Sequence, residues 1–337
     1  HANNQQEGRK QTGRTLRGET MKKRIFCLIL AILMILLSTA AFATEAIPET
    51  GKHTLSEPYE YRIVPGMEEW AEYDTLERKI NACHVPDQLL ESMTTEALVD
   101  TVLNYPLLIN MFAFNTLDAG VRSVASYFGG IEELLARDDA VDKLRAYSAS
   151  VDEQIRATDV KRICADALLR YIAENDMNSV QASVTSVRTP AGSSVSAVKD
   201  ATWAYWGASE EETEALSQSY LSVFTSARII SGVNPAYNCH SYAWYSQSTS
   251  NRYWINDPTR YMTDGSYSEG TVSVGSKVFY DSDDSSWWHS AVVSSLPTSG
   301  NPTVVVSKWG MCALYSHNIN DCPYTTWGSI SVVSCWA

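Results

Sequence analysis

Basic charge is scarce in this sequence: its 337 residues include 26 Lys or Arg against 39 Asp or Glu. Without residues 1–43, which hold seven basic and two acidic side chains, 19 basic residues face 37 acidic ones, a net charge of −18. A surface of that sign repels phosphate backbones and anionic lipid, so nucleic acid is excluded as an expected partner, and the plain meaning of the charge is solubility outside the cell. Long apolar runs are scarce too. The one unbroken run, Ile25–Leu37, has thirteen residues and falls short of the ~20 needed to span a bilayer, so no stable membrane insertion is expected once a signal is removed. Paired ligand spacing of the zinc type is absent. A metal site built from Cys239, His240, His289 and Cys312 is therefore disfavoured, and neither metal nor cofactor is expected. The low hydrophobicity of disordered chains is missing as well, since 45% of the residues are hydrophobic and 19% charged. One or two packed domains follow.

What is present begins with an export signal. Met21 is followed by Lys22, Lys23 and Arg24, then by the apolar run, then by the small-residue site Ala41-Phe42-Ala43. This is the layout of a secretory signal peptide over residues 21–43, cleaved after Ala43, and residues 1–20 read as upstream translation. The mature chain is expected to be secreted, extracellular or cell-wall associated. It keeps six cysteines, Cys83, Cys164, Cys239, Cys312, Cys322 and Cys335. In an oxidising compartment some should pair, and Cys83 with Cys164 and Cys312 with either Cys322 or Cys335 are the expected bridges.

Residues 44–65 carry Pro48, Gly51, Pro58 and Pro65 among polar residues and read as a poorly ordered mature N-terminus. From Met67 to Met177 the apolar period is helical, with Leu98, Val102 and Tyr105 on one face and Val160, Cys164, Leu168 and Ile172 on another. Thr94 is placed to cap a helix that Pro106 closes. Residues 44–177 are thus expected to form a helical domain that folds, docks or spaces. Residues 178–200 turn to Ser, Val, Thr and Ala and read as a linker. Nine of the ten tryptophans follow it, which marks 201–337 as a second domain with a different core. There, Ser209 with Glu212 forms a capping box, and Ile229–Ala236 reads as a loop. Strands are expected at Thr271–Val274, Lys277–Tyr280, His289–Ser294, Thr303–Lys308 and Ser329–Val333. A helix followed by an antiparallel sheet makes the class α+β.

The chemistry gathers at Cys239. A thiol attacks amides and esters only as the thiolate, and a helix start capped by Asn238 is expected to lower its pKa. Adjacent His240 points elsewhere on the helix, so the base must come from a distant segment. His289, heading a strand after a polar loop, is the expected base, with His317 behind it; His53 and His84 lie in the first half. If His289–Ser295 pairs with Thr303–Trp309, Ser307 falls near His289 and could orient the imidazole, with His317 and Asn318 left open for that role. Lys308 has no acceptor to offer. Tyr237, Asn238, Tyr253, Trp254 and Trp288 are candidates for contacting substrate, although aromatic residues in such numbers more often build a core.

The run Tyr237-Asn238-Cys239, the strand Gly275-Ser276-Lys277-Val278-Phe279-Tyr280 and the strand His289-Ser290-Ala291-Val292-Val293 resemble the NlpC-like and CHAP families of cysteine hydrolases. The resemblance covers about Trp203 to Tyr315. It implies a papain-like domain in which the Cys-bearing helix packs on an antiparallel sheet, Cys239 as nucleophile, His289 as base, and a peptide or peptidoglycan substrate cleaved at an amide bond. It departs from the family pattern at Asn238 and Ser276, where Asp is usual, at His240, where Ser is usual, and in lacking the usual His or Asn at the third catalytic position. A secreted binding module that keeps the scaffold without catalysis is the alternative reading.

Overall fold

Three helix starts of the first half are set by hydroxyl caps, Thr94 among them as the sequence suggests. Thr75, Thr94 and Thr116 each accept the N–H three residues on, which satisfies one of the donors that a helix start leaves open. A computed structural model of the chain describes residues 53–174, 183–282, 284–324 and 333–336. The expected signal peptide, the upstream segment and most of Ser329–Val333 lie outside those residues. In chain order the helices of the first half are α1 (Leu76–Ala82), α2 (Asp87–Ser92), α3 (Thr95–Leu103), α4 (Leu117–Ala125), α5 (Gly130–Leu135), α6 (Ala140–Ser150) and α7 (Val160–Glu174), with a 3-10 turn at Leu108–Phe112. No helix among the described residues is long and apolar enough to cross a membrane.

Residues 53–65 are better ordered than their prolines suggest. Leu55 exchanges backbone hydrogen bonds with Ser92 and Thr94, the N–H of Tyr59 donates to Thr101 Oγ1, and the Tyr61 hydroxyl donates to the Thr101 carbonyl. Tyr61 and Tyr105 also pack ring to ring at 5.9 Å. The aromatic side chains anchor a segment whose backbone is merely irregular.

The expected linker is a β-hairpin from its first described residue. Strands β1 (Ser183–Arg188) and β2 (Ser194–Lys199) pair antiparallel from Ser183 opposite Lys199 to Arg188 opposite Ser194. Thr189-Pro190-Ala191-Gly192 closes them, with the Gly192 N–H on the Thr189 carbonyl and Gly192 at φ +92°. Pro presets the second turn position and Gly takes the left-handed one, so the residues that looked like a loose tether specify a turn. Val187, Val195 and Ala197 face inward, an alternation that the small polar residues between them disguised.

Beyond the hairpin come α8 (Trp203–Trp206) and α9 (Glu210–Val223), the latter opened by the capping box of Ser209 and Glu212. Strands β3 (Arg228–Ser231), β4 (Tyr253–Trp254), β5 (Lys277–Tyr280), β6 (His289–Ser295), β7 (Val304–Lys308), β8 (Leu314–Asn318) and β9 (Val333–Trp336) follow, with α10 (Thr259–Thr263) between β4 and β5. Two antiparallel sheets result, β1-β2-β4 and β3-β8-β7-β6-β5-β9. The class is α+β, with helices in the first part and antiparallel sheets after them. Thr271–Val274 is not a strand; its residues are exposed and lead into the tight turn at Gly275, φ +91°. Part of the expected loop Ile229–Ala236 is instead edge strand β3, which finds its partner in β8, about ninety residues away in sequence.

The six-stranded sheet is covered on both faces. On one, Val278, Tyr280, Ala291, Val293, Val305 and Trp309 join Leu98, Val102, Leu168, Tyr220 and Phe224 in one hydrophobic core. On the other, Phe279, Val292 and Leu314 pack with Tyr237, Trp244, Ile255 and Tyr261. The helical half is therefore not a separate domain. Its helices cover one face of the sheet, and polar contacts bridge the halves: Trp70 Nε1 donates to the Val223 carbonyl (2.9 Å) and the Tyr220 hydroxyl to the Ile109 carbonyl (2.7 Å). The described residues form one unit. The expected bridges are also missing. Cys83, Cys164 and Cys312 are buried free thiols, placed by packing as small apolar side chains.

Candidate functional site

Asn238 fixes the start of the helix that carries Cys239. Its Oδ1 accepts the N–H of Ser241 (3.1 Å) and of Ile255 (3.2 Å), and its Nδ2 donates to the Ile255 carbonyl (2.6 Å) and to Asn115 Oδ1 (2.9 Å). The side chain was expected to cap and also to meet substrate; the cap is present, but both ends of the amide are engaged inside the chain. After Cys239 and His240 the helix widens into a π-turn over Ser241–Tyr245, with the Ser246 N–H on the Ser241 carbonyl. Such turns recur at functional positions. Here it directs His240 Nδ1 and Trp244 Nε1 onto the same hydroxyl, Ser290 Oγ, each at 2.8 Å.

That fastening draws the start of the helix against strand β6. The backbone N–H groups of Ser290, His240 and Cys239 itself lie near enough to the Cys239 sulfur to favour its thiolate. The sulfur thus lies near the peptide that joins His289 to Ser290, but no hydrogen bond joins it to the His289 imidazole among the described residues. Nor does the thiol have the depressed pKa expected of a helix start. Cys239 is 2% exposed, and burial pushes its thiol up to about 12, with the three N–H groups and the charge of Lys308 only partly opposing it. In a closed site the loss of water outweighs a short helix dipole.

Successive side chains of β6 alternate between the two faces. Ser290 and Val292 face the Cys239 helix, while His289, Ala291 and Val293 face the helical half. His289 is fully buried, and neither of its ring nitrogens has a hydrogen-bond partner among the described residues. Its ring lies flat against Tyr324, centroids 3.4 Å apart and planes 6° from parallel. Burial, with the nearby His240 and His317 adding to it, holds His289 neutral well below the usual imidazole range.

Ser307 does not orient His289. Val292 pairs with Val306 and Val293 with Val305; carried back along the strands, this register sets His289 level with Trp309, two residues beyond Ser307. The Ser307 hydroxyl is 2.8 Å from His317 Nε2 and accepts from Trp309 Nε1 at 2.9 Å. His317 Nδ1 faces the Asn318 carbonyl at 2.9 Å. A carbonyl can only accept, so Nδ1 carries the proton and Nε2 accepts from Ser307. The Ser307–His317 pair is a satisfied structural unit of β7 and β8.

Lys308 has the opposite character. It is fully buried, donates to the carbonyls of Gly310 and Cys312, and lies over the Tyr237 ring at 5.2 Å. No carboxylate pairs with it among the described residues, and burial lowers it to about 7, with Cys312 and Cys239 pulling the other way. Lacking an acceptor, it was discounted as a partner for His289, yet it is the cation whose charge bears on the Cys239 thiol. The signal was present as a Lys that ends a strand opened by three valines, Val304-Val305-Val306-Ser307-Lys308.

The aromatic candidates separate. Tyr237 is buried beneath Lys308, and Trp254 is buried against Trp206 at 4.2 Å, with its Nε1 on Asn256 Oδ1. Tyr253 is half-buried and sits edge to face with Tyr245. Trp288 alone combines partial exposure with adjacency to His289. With Asn115, Thr116, Asn256, Asp257, Ser285 and Ser286 it lines a cavity of about 310 Å³. His53 and His84 are exposed in the first half. No three His, Cys, Asp or Glu side chains converge to hold a metal among the described residues.

Three buried imidazoles give the fold a pH dependence. Burial lowers His240 to about 3 and His317 to about 4 from an ordinary 6.5, and His289 moves the same way. The unfolded chain takes up these protons near its ordinary value and the folded chain does not, so stability should fall as pH drops from about 6.5 towards 4. Each such histidine contributes on the order of 1–3 kcal/mol to that loss. Urea midpoints measured across this range should drop, and less steeply in His317→Gln; equal slopes would contradict the assignment.

No family model, curated protein or solved structure matches the chain.

Proposed function

We propose that this chain is a secreted thiol hydrolase with a papain-like site, cleaving amide bonds in peptides of the cell-wall type through Cys239 and His289. The reading rests on one observation above all: the sulfur at the start of the capped helix lies near the N–H of Ser290, next in the chain to His289, whose imidazole has no polar partner of its own among the described residues. A buried ring with two unsatisfied nitrogens costs folding free energy and is retained where chemistry needs it. Support for the family comes from the order of elements, capped helix, strand Lys277–Tyr280, strand His289–Ser295, which is the order that the resemblance implies.

In this mechanism thiol and imidazole rest neutral. The imidazole takes the thiol proton as the sulfur attacks the substrate carbonyl, so charge appears as a pair, and the Lys308 cation favours the thiolate side of it. The backbone N–H of Cys239 stabilises the oxyanion. His289 then protonates the departing amine and next activates the water that hydrolyses the thioester. The cavity at Trp288, the residue before His289, is the proposed approach for substrate.

The near-complete burial of Cys239 favours a second reading, a binding module without catalysis. Incubation with peptidoglycan fragments decides between them. Mass spectrometry should find fragments cut at an amide bond; intact fragments under conditions where Cys239 can be alkylated would leave only the binding reading.

A further inference from the structure

A catalytic imidazole needs something to hold its plane, and in hydrolases of this chemistry a polar third residue usually does so through the ring's second nitrogen. Here the candidate for that role, Ser307, is engaged by His317, and no other polar group reaches either nitrogen of His289 among the described residues. What touches the ring is aromatic. Tyr324 stacks on it at 3.4 Å and 6°, and Tyr280 leans on it at 5.3 Å and 51°. Both phenols are themselves fixed: the Tyr280 hydroxyl donates to the Ile319 carbonyl at 2.9 Å, and the Tyr324 hydroxyl donates to the carbonyl of Ala113. Phe114 closes on Tyr324 edge to face at 5.4 Å.

We propose that Tyr324 is the positioning residue of this site, holding the His289 imidazole by stacking in place of a hydrogen-bonding third residue, with Phe114 of the helical half packed edge to face against the Tyr324 ring. The inference rests on His289 being the base. A flat phenol leaves both ring nitrogens available, one to take the thiol proton and the other to face substrate or water. Its electron-rich face also favours the cation formed when the ring is protonated. The helical half thereby gains a task at the site. Gly310 packs so tightly under this segment that an added Cβ would lie 2.6 Å from the Phe112 carbonyl oxygen and 2.9 Å from that of Phe114, so the strap carrying Ala113 is pressed onto the β7–β8 turn.

The test compares Tyr324→Leu, Tyr324→Phe, His289→Ala and the double variant Tyr324→Leu/His289→Ala by the pH dependence of Cys239 alkylation with iodoacetamide. Peptide mapping follows Cys239 alone, and circular dichroism monitors the fold. Tyr324→Leu should lose most of the His289-dependent rate near neutral pH, roughly 10-fold or more, and adding His289→Ala should change little further. Tyr324→Phe keeps the stacked face and should retain the wild-type profile within about 2-fold; this rescue separates stacking from simple loss of structure. If Tyr324→Leu keeps the wild-type profile while His289→Ala loses it, the positioning role is wrong and the dyad stands. If His289→Ala itself leaves the profile unchanged, the dyad is wrong and the positioning role goes with it. A Tyr324→Phe profile as damaged as that of Tyr324→Leu also overturns the proposal, because stacking would then not be the operative contact.

Discussion

Cys239→Ala should abolish amide hydrolysis, with a loss of at least about 1000-fold, while the protein unfolds at nearly the same temperature as the wild type. The first part follows from the proposed role of the Cys239 sulfur as the nucleophile. The second follows from its surroundings. The Cys239 thiol bridges to no other cysteine, and replacing sulfur by a hydrogen leaves a void no larger than one atom, a loss of about 1 kcal/mol. The helix start survives because Asn238, not Cys239, caps it. Hydrolysis assays on peptidoglycan fragments and thermal melts check the two halves separately. Retained hydrolysis would remove Cys239 from the mechanism whatever the melts show.

Asp321→Ala should be the most damaging substitution remote from Cys239, costing about 3–5 kcal/mol. Asp321 Oδ1 meets Lys79 Nζ at 2.7 Å, with the two side chains 2% and 0% exposed. Its second oxygen accepts the Ser226 N–H at 3.0 Å. Lys79 also donates to the Tyr73 carbonyl and lies over Phe224 at 5.4 Å. Removing the carboxylate strands an ammonium in an apolar core, whereas Lys79→Met together with Asp321→Leu removes both charges and should recover most of the loss. The pair joins α1 to the turn that leads to Tyr324, so the single variant should loosen both halves at once. Urea unfolding followed by tryptophan fluorescence checks this. One shifted transition is expected; two separate transitions would mean that the halves fold independently after all.

Local signals were the ones legible in the sequence. Thr94, Ser209 and Asn238 cap helices because their acceptors sit where the helix start needs them, and Lys277–Tyr280, His289–Ser295 and Val304–Lys308 pair because apolar residues repeat at the period of a strand. Those signals sufficed for the helix start at Asn238 and for these three strands. What was not legible depends on distant partners. Trp70 finds Val223, Tyr220 finds Ile109 and Tyr324 finds Ala113, and no periodicity within either half reports such contacts, which is why a single core read as two domains. The fate of Ser307 turned on His317, which stands across the next strand pair. The pKa of Cys239 turned on burial, a property of the whole fold. Lys308 was judged by its lack of an acceptor, while its place over Tyr237 and beside two thiols gives its charge a consequence.

The pairing of Cys239 with His289 is tested most directly by acylation. The wild-type protein and His289→Ala are incubated with an activated ester near pH 7, quenched in acid, and the peptide carrying Cys239 is examined by mass spectrometry. A thioester on Cys239 in the wild type that falls away in His289→Ala is the expected result. Equal acylation of the two proteins, or an acyl group found on any residue other than Cys239, would contradict it.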